Sequence, residues 1–300
     1  MSGAHARPEL LASPDWLAEN LGRHELRVLD VRWRPDGASR TVFNDGHVPG
    51  ATHLDWREAL TDRDAPDGTL LLAPPDQVAA AVATAGIGNG TTVVVYDDTA
   101  SLYAARTWWS LRACGLGSVR ILDGGFGAWL ASGRPVSHAV PEPPRGTFTP
   151  RAELRLRLTA SDARALVGSP DALFLDARTP AEFHGHAGSG RRLGHIPGAV
   201  NLPAAATTEP GTGRFLDGDD LRGLLAAAGV SRSRRVVCYD GTGLAAAGVT
   251  RTRRIVCYDG TGVGAAKLAF VLALMGHDDV ALYDGGWAEW GNRLDLPIER

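Results

Sequence analysis

The chain has 300 residues with 44% hydrophobic content, enough for a large buried core and, by length, two domains. A net charge of −3 with scattered arginines leaves no basic footprint for nucleic acid, and no apolar run approaches the length of a membrane span. The three cysteines lack metal or disulfide spacing, so neither a structural metal nor a disulfide framework is expected.

In chain order, Met1 to Trp16 lacks the succession of a secretory signal, which gives a cytoplasmic location as the expectation. Short apolar strands follow at Val28 to Val31, Thr92 to Tyr96 and Val119 to Leu122, alternating with helical segments at Pro75 to Ala85 and Leu102 to Cys114. Such alternation predicts an α/β architecture, a mostly parallel sheet with helices on both faces. Residues 135–150 carry five prolines and no periodicity, and so read as a linker between a first domain, 1–134, and a second, 151–300.

The second half repeats the first. Leu29-Asp30-Val31-Arg32 returns as Leu175-Asp176-Ala177-Arg178, and Gly46-His47-Val48-Pro49-Gly50-Ala51 as Gly194-His195-Ile196-Pro197-Gly198-Ala199. Tyr96-Asp97 returns as Tyr258-Asp259, and Asp123-Gly124-Gly125 with Trp129 as Asp284-Gly285-Gly286 with Trp290. A second, separate repeat lies inside the second half: residues 225–243 reappear almost unchanged as 244–262. One sheet position holds one strand, so only one copy can occupy it. The copy that runs directly into the helical segment from Ala265 is the expected occupant, with the first copy outside as an insertion or extra edge strand.

After the apolar run Arg254 to Tyr258 comes Asp259-Gly260-Thr261-Gly262-Val263-Gly264, a strand, a glycine-rich turn and a helix start. Backbone N–H groups converge at such a junction and favour an anion. Asp259 heads this loop, and two roles are open to it. Its carboxylate can turn inward and accept the loop amides with a lowered pKa, or it can face a substrate as nucleophile or general base. Cys257 lies on the same strand face and is either a displaced thiol acceptor or a small buried hydrophobe, and Cys238 in the first copy has the same two readings. Arg191 and Arg192 are candidates for a carboxylate or sulfonate, since a guanidinium fork suits such oxyanions. Asp176 and Arg178 are expected to brace a strand end. His47 and His195 recur in both halves and read as turn residues, and Trp287 as a wall of the pocket or of the domain interface.

The paired Gly-His-(Val/Ile)-Pro-Gly-Ala motifs, the Leu-Asp-x-Arg strand ends and the closing Asp284-Gly285-Gly286-Trp287-Ala288-Glu289-Trp290 resemble a tandem-domain rhodanese of the thiosulfate or 3-mercaptopyruvate sulfurtransferase type. The resemblance implies two rhodanese-like domains, the first without catalysis and the second with a site loop at 259–264. It also implies a small anionic substrate, a thiol or protein sulfur acceptor, and no cofactor. In that family the loop begins with a persulfide-forming cysteine, and here Asp259 holds its position, as Asp240 would in the first copy. A carboxylate cannot carry sulfur as a persulfide. Ordinary persulfide chemistry is therefore doubtful, and the alternatives are a hydrolase or lyase using Asp259, or a pseudo-enzyme that binds through the old pocket.

Overall fold

The computed structural model describes residues 3–188, 190–230 and 253–300. Two five-stranded, all-parallel sheets carry the repeat. The first orders its strands β1-β5-β4-β2-β3, with β1 Leu11–Ala12, β2 Leu26–Asp30, β3 Ala51–His53, β4 Thr92–Tyr96 and β5 Val119–Leu122. The second is β6-β10-β9-β7-β8, with β6 Arg157–Leu158, β7 Ala172–Asp176, β8 Val200–Asn201, β9 Arg254–Tyr258 and β10 Val280–Tyr283. Strand for strand the orders are the same, as the repeated motifs require.

Around the first sheet lie α1 Pro14–Asn20, α2 Ser39–Asn44, α3 Trp56–Leu60, α4 Pro75–Thr84, α5 Leu102–Ala113 and α6 Gly125–Ala131. Around the second lie α7 Ala160–Leu166, α8 Pro180–Phe183, α9 Gly218–Ala227, α10 Val263–Leu274 and α11 Gly286–Trp290. The central strands β4 and β9 are buried along all but their first residue, as expected for parallel strands covered on both faces.

Helices α5 and α10 join the halves. All twelve residues of α10 are buried, and a helix that is apolar on every side belongs in the middle of a core. Trp108 of α5 meets Phe270 of α10 edge to face, with centroids 5.0 Å apart. A single apolar cluster runs from Leu29 and Val95 of the first sheet through both helices to Leu175 and Leu282 of the second. The sheets therefore share this inner core, while their other faces carry separate clusters, around Phe43 and Trp129 in the first half and Phe174 and Trp290 in the second.

The chain crosses between the halves elsewhere too. Gly3 O accepts from Gly218 N at 2.8 Å, and Arg7 N donates to Leu274 O at 2.9 Å, so the first described residues lie on the second half. The proline-rich stretch runs along the first half without helix or strand, tied by Gly146 N to Ala83 O and by Arg151 N to Cys114 O, both 2.8 Å.

Of the internal repeat, the strand in the sheet is β9, from the second copy, and it runs through the loop into α10. The strand and loop of the first copy, with Cys238 and Asp240, lie outside the described residues, and so does its expected role as an insertion.

Candidate functional site

Each half builds the same brace below its loop. In the second, Arg178 donates from Nε to Asp176 Oδ1 at 3.0 Å and from Nη2 to Oδ2 at 2.6 Å, and Nη2 also reaches Gly194 O at 2.7 Å. Tyr258 Oη accepts from Ile196 N at 3.1 Å. In the first, Asp30, Arg32, Gly46, Tyr96 and Val48 make the same contacts, with Tyr96 Oη donating to Asp30 at 2.6 Å. A bidentate, buried pair with every lone pair used is a structural clamp. The repeated Leu-Asp-x-Arg and Gly-His-x-Pro-Gly motifs are thus two ends of one contact. His195 and His47 stack on Phe183 and Phe43, at 3.8 and 3.9 Å between centroids, and place their Nδ1 atoms against the carbonyls of those residues at 3.0 and 2.9 Å.

Above the brace sits the loop after β9. The Asp259 carboxylate is turned into it: Oδ1 accepts from Thr261 N at 3.1 Å and from Gly262 N, and Oδ2 accepts from Gly264 N at 2.6 Å. Gly262, at φ +85°, makes the left-handed step that starts α10 and aims these amides inward. Asp97 does the same in the first half, accepting from Thr99, Ser101, Tyr103 and Ala104 N at 2.8 to 2.9 Å. There the left-handed positions are Ala100 and Ser101, at φ 52° and 64°, a conformation non-glycine residues rarely hold. In both loops the amide nest is filled by the loop's own carboxylate.

Burial raises the Asp259 carboxyl above its ordinary value; the amides of Gly264 and Gly262 pull the other way and are outweighed. The lowered value expected from amide donation alone does not hold, because the side chain is also cut off from water. Asp97 is raised for the same reason, against its own four amides.

The repeated Asp-Gly-Gly motif closes the loops from above. Trp287 N donates to Asp259 O at 2.6 Å, and Phe126 N to Asp97 O at 2.9 Å. A Cβ on Gly286 or Gly125 would strike those same carbonyls, so each loop is sealed by backbone that only glycine lets this close.

The remaining candidates divide. Gly260 and Thr261 are partly exposed at the loop tip, while Val263 and Gly264 are buried at the start of α10. Cys257 is fully buried in β9, and desolvation, with Asp259 nearby, pushes its thiol far up. Arg192 clasps the C-terminal segment, donating to Leu296 O at 2.8 Å, to Trp290 O at 2.9 Å and to Arg293 O. Arg191 is exposed, and its backbone N–H donates to Asn292 Oδ1 at 3.0 Å. Trp287 is buried, with Arg178 stacked on its ring at 4.5 Å and its Nε1 donating to Arg192 O at 3.1 Å. Among the described residues no cluster of His, Cys, Asp or Glu could hold a metal, and no helix is long and apolar enough to cross a membrane.

Two residues missed in the sequence bear on this region. Arg106 of α5 donates to Asp284 Oδ1 at 2.7 Å and lies 3.4 Å from Gly262 O, so the first half touches the loop of the second. Lys267, one turn into α10, is buried. The signal for both was a charged residue inside an apolar helix pattern.

The fold, the doubled brace and the doubled loop define a tandem α/β protein of the rhodanese class. The rhodanese-like domain family matches residues 13–132, 159–254 and 244–293, the last two overlapping inside the internal repeat, and the chain belongs to that family. It is 32% identical over 292 residues to 3-mercaptopyruvate sulfurtransferase of Escherichia coli K12, covering 95% of this chain and 96% of that one. It is 33% identical over 310 residues to thiosulfate sulfurtransferase of Corynebacterium glutamicum, covering 98% and 92%, and 30% identical over 309 residues to the sulfur carrier protein TtuD of Thermus thermophilus, covering 99% and 98%. The crystal structure of SseA from Escherichia coli, a 3-mercaptopyruvate sulfotransferase, superposes with a TM-score of 0.79 at 29% identity, over 93% of this chain and 98% of that one. These relatives are sulfurtransferases and a sulfur carrier protein, and the chain falls within their family.

Proposed function

We propose that this chain is a sulfurtransferase-family protein whose second loop is occupied by its own carboxylate, so that it keeps the fold and the loop surface as a binding module and does not run persulfide chemistry there. One observation carries the reading: Asp259 is held by its nest amides in the same manner as Asp97 in the opposite loop. A sulfane sulfur donor such as thiosulfate would bring negative charge to amides already committed to a carboxylate. Cys257, the described thiol nearest in sequence, is buried, and desolvation pushes its thiol up and disfavours the thiolate. A hydrolase or lyase role has less support, because a base needs free lone pairs and both Asp259 oxygens accept loop amides. The domain boundaries that go with this reading are 134 and 151, on either side of the proline-rich stretch.

The test is thiosulfate:cyanide and 3-mercaptopyruvate sulfurtransfer by the wild type and by Asp259→Cys. The expected result is no turnover above background in the wild type and a gain in the variant, with sulfur retained on the new thiol. Wild-type turnover that survives Asp259→Asn and disappears in Cys257→Ser would overturn the reading and move the chemistry to that cysteine.

A further inference from the structure

The repeat equates two positions that the structure uses differently. Helices α5 and α10 each have twelve residues, and their fifth positions are Arg106 and Lys267. Arg106 crosses to the other half and forms a buried ion pair with Asp284 at 2.7 Å, while Asp284 also accepts from Leu72 N at 2.6 Å. The matching acceptor for Lys267 is Asp123, which does accept from the equivalent backbone donor, Phe215 N, at 2.9 Å. Lys267 does not pair with it. Its Nζ donates to Thr208 Oγ1 at 3.0 Å and lies 6.0 Å from the centre of the Phe215 ring, and among the described residues it forms no ion pair.

Asp123 has Arg214 at 3.9 Å instead, and Lys267 lies on the wall of a cavity of about 560 Å³ with Thr99, Leu102, Gly124, Ala204 and Thr208. Lys267 is 2% exposed and is the single lysine of the chain. The buried hydroxyl of Thr99, on the same wall, has no hydrogen-bond partner. An amine that donates to Thr208 but has no ion pair and an unused hydroxyl thus share a space large enough for a small organic molecule.

We propose that this cavity is a covalent binding site for a small neutral aldehyde, captured as an imine on Lys267. A carbonyl compound suits a buried amine without an ion pair at the wall of an open, mostly apolar cleft, because the bond needs no counter-charge. Apart from Lys267 the described lining offers no cation to an acidic ligand, its charged residues being Asp98, already paired with Arg34, and Glu209. The step balances without an oxidant or reductant: ammonium and carbonyl give a protonated imine and one water, the oxygen leaving with two of the three hydrogens on nitrogen. Desolvation lowers the Lys267 amine to about 8, which makes the neutral, nucleophilic fraction near neutral pH on the order of a hundredfold larger than for an ordinary lysine. The site is independent of the reading of Asp259.

The probe is propanal with cyanoborohydride at neutral pH, which reduces the imine to a stable propyl amine that peptide mass spectrometry locates. With one lysine, the N-terminal amine is an internal reference. The expected result is that Lys267, scaled to that reference, is labelled roughly tenfold faster in the folded protein than in urea, that Thr208→Val retains the label, and that the label is lost in Lys267→Arg. Labelling of Lys267 that is equal or slower in the folded protein would overturn the proposal. Pyruvate as a second probe checks the stated class: capture weaker than with propanal is expected, and stronger capture would overturn the assignment to neutral aldehydes.

Discussion

Arg106 and Asp284, 178 residues apart in sequence, form a buried ion pair at 2.7 Å between the two halves. Arg106 also donates to Leu70 O at 2.5 Å, and Asp284 takes Leu72 N and has Arg157 at 3.1 Å, so the pair is the centre of a network linking both sheets beside the loop. Its isolated Coulomb energy says little about net stability, since two charges had to leave water. Removing Asp284 is another matter, because it strands Arg106, whereas without Arg106 the carboxylate still has Arg157 and Leu72 N.

Asp284→Asn should destabilise the protein by about 3–5 kcal/mol, as for other broken buried pairs, and Arg106→Met by less, because Asp284 keeps Arg157. In the double variant Arg106→Met/Asp284→Asn the loss should fall short of the sum, because both singles remove the same contact. Urea denaturation of the four proteins measures the coupling. Strict additivity would mean that the two residues act separately.

The raised carboxyl of Asp259 has a pH consequence with a definite sign. A group whose folded pKa lies above its unfolded value binds its proton more tightly in the folded state. Its contribution is present in full below the ordinary 3.8 and is lost as pH rises through the folded value. Wild type minus Asp259→Asn stability should therefore fall with rising pH just above that ordinary value. A difference that rises there would show that the amides, not burial, set the titration. Asp97→Asn should behave in the same way.

Arg192 separates a structural from a substrate role. Its guanidinium holds main-chain carbonyls of Leu296 and Trp290, so Arg192→Ala should cost about 1–3 kcal/mol by leaving acceptors unmet. Arg192→Lys should recover only part of this, since an ammonium lacks the fork. If Asp259→Cys confers activity, adding Arg192→Ala should leave KM for thiosulfate within about twofold, a factor worth under 1 kcal/mol.

Cys114 and Cys257 are both buried, and the Cys114 thiol is pushed up to about 11 by desolvation. In a Cys238→Ser background, a disulfide reagent should find almost no reactive thiol in the native protein and both after denaturation. Fast native labelling of Cys257 would reopen its role as a sulfur acceptor.

The repeat made the two sheets legible, because four motifs in the same order demand the same strands. A mostly parallel sheet followed from alternating strand and helix, and the structure makes both sheets parallel throughout. Strands β1 and β6 were missed, being two residues each and too short for any periodicity. The brace residues were legible as motifs, since Asp176 and Arg178 are neighbours in sequence. The network of Arg106 and the isolation of Lys267 were not, because each depends on helices brought together by the shared core. Arg192 read as an anion ligand because a loop arginine shows no partner in sequence, while its carbonyl partners lie about a hundred residues away.

The contacts of Gly3 and Arg7 with Gly218 and Leu274 change what cutting the protein would do. A protease that severed the proline-rich stretch would yield two fragments, each holding part of the other: the first would carry the strand of chain that edges the second, and both would keep half of the common apolar interior. The nicked protein should elute as one particle under native conditions. The second fragment expressed alone would lack its own border, and co-expression with the first would be the way to recover it.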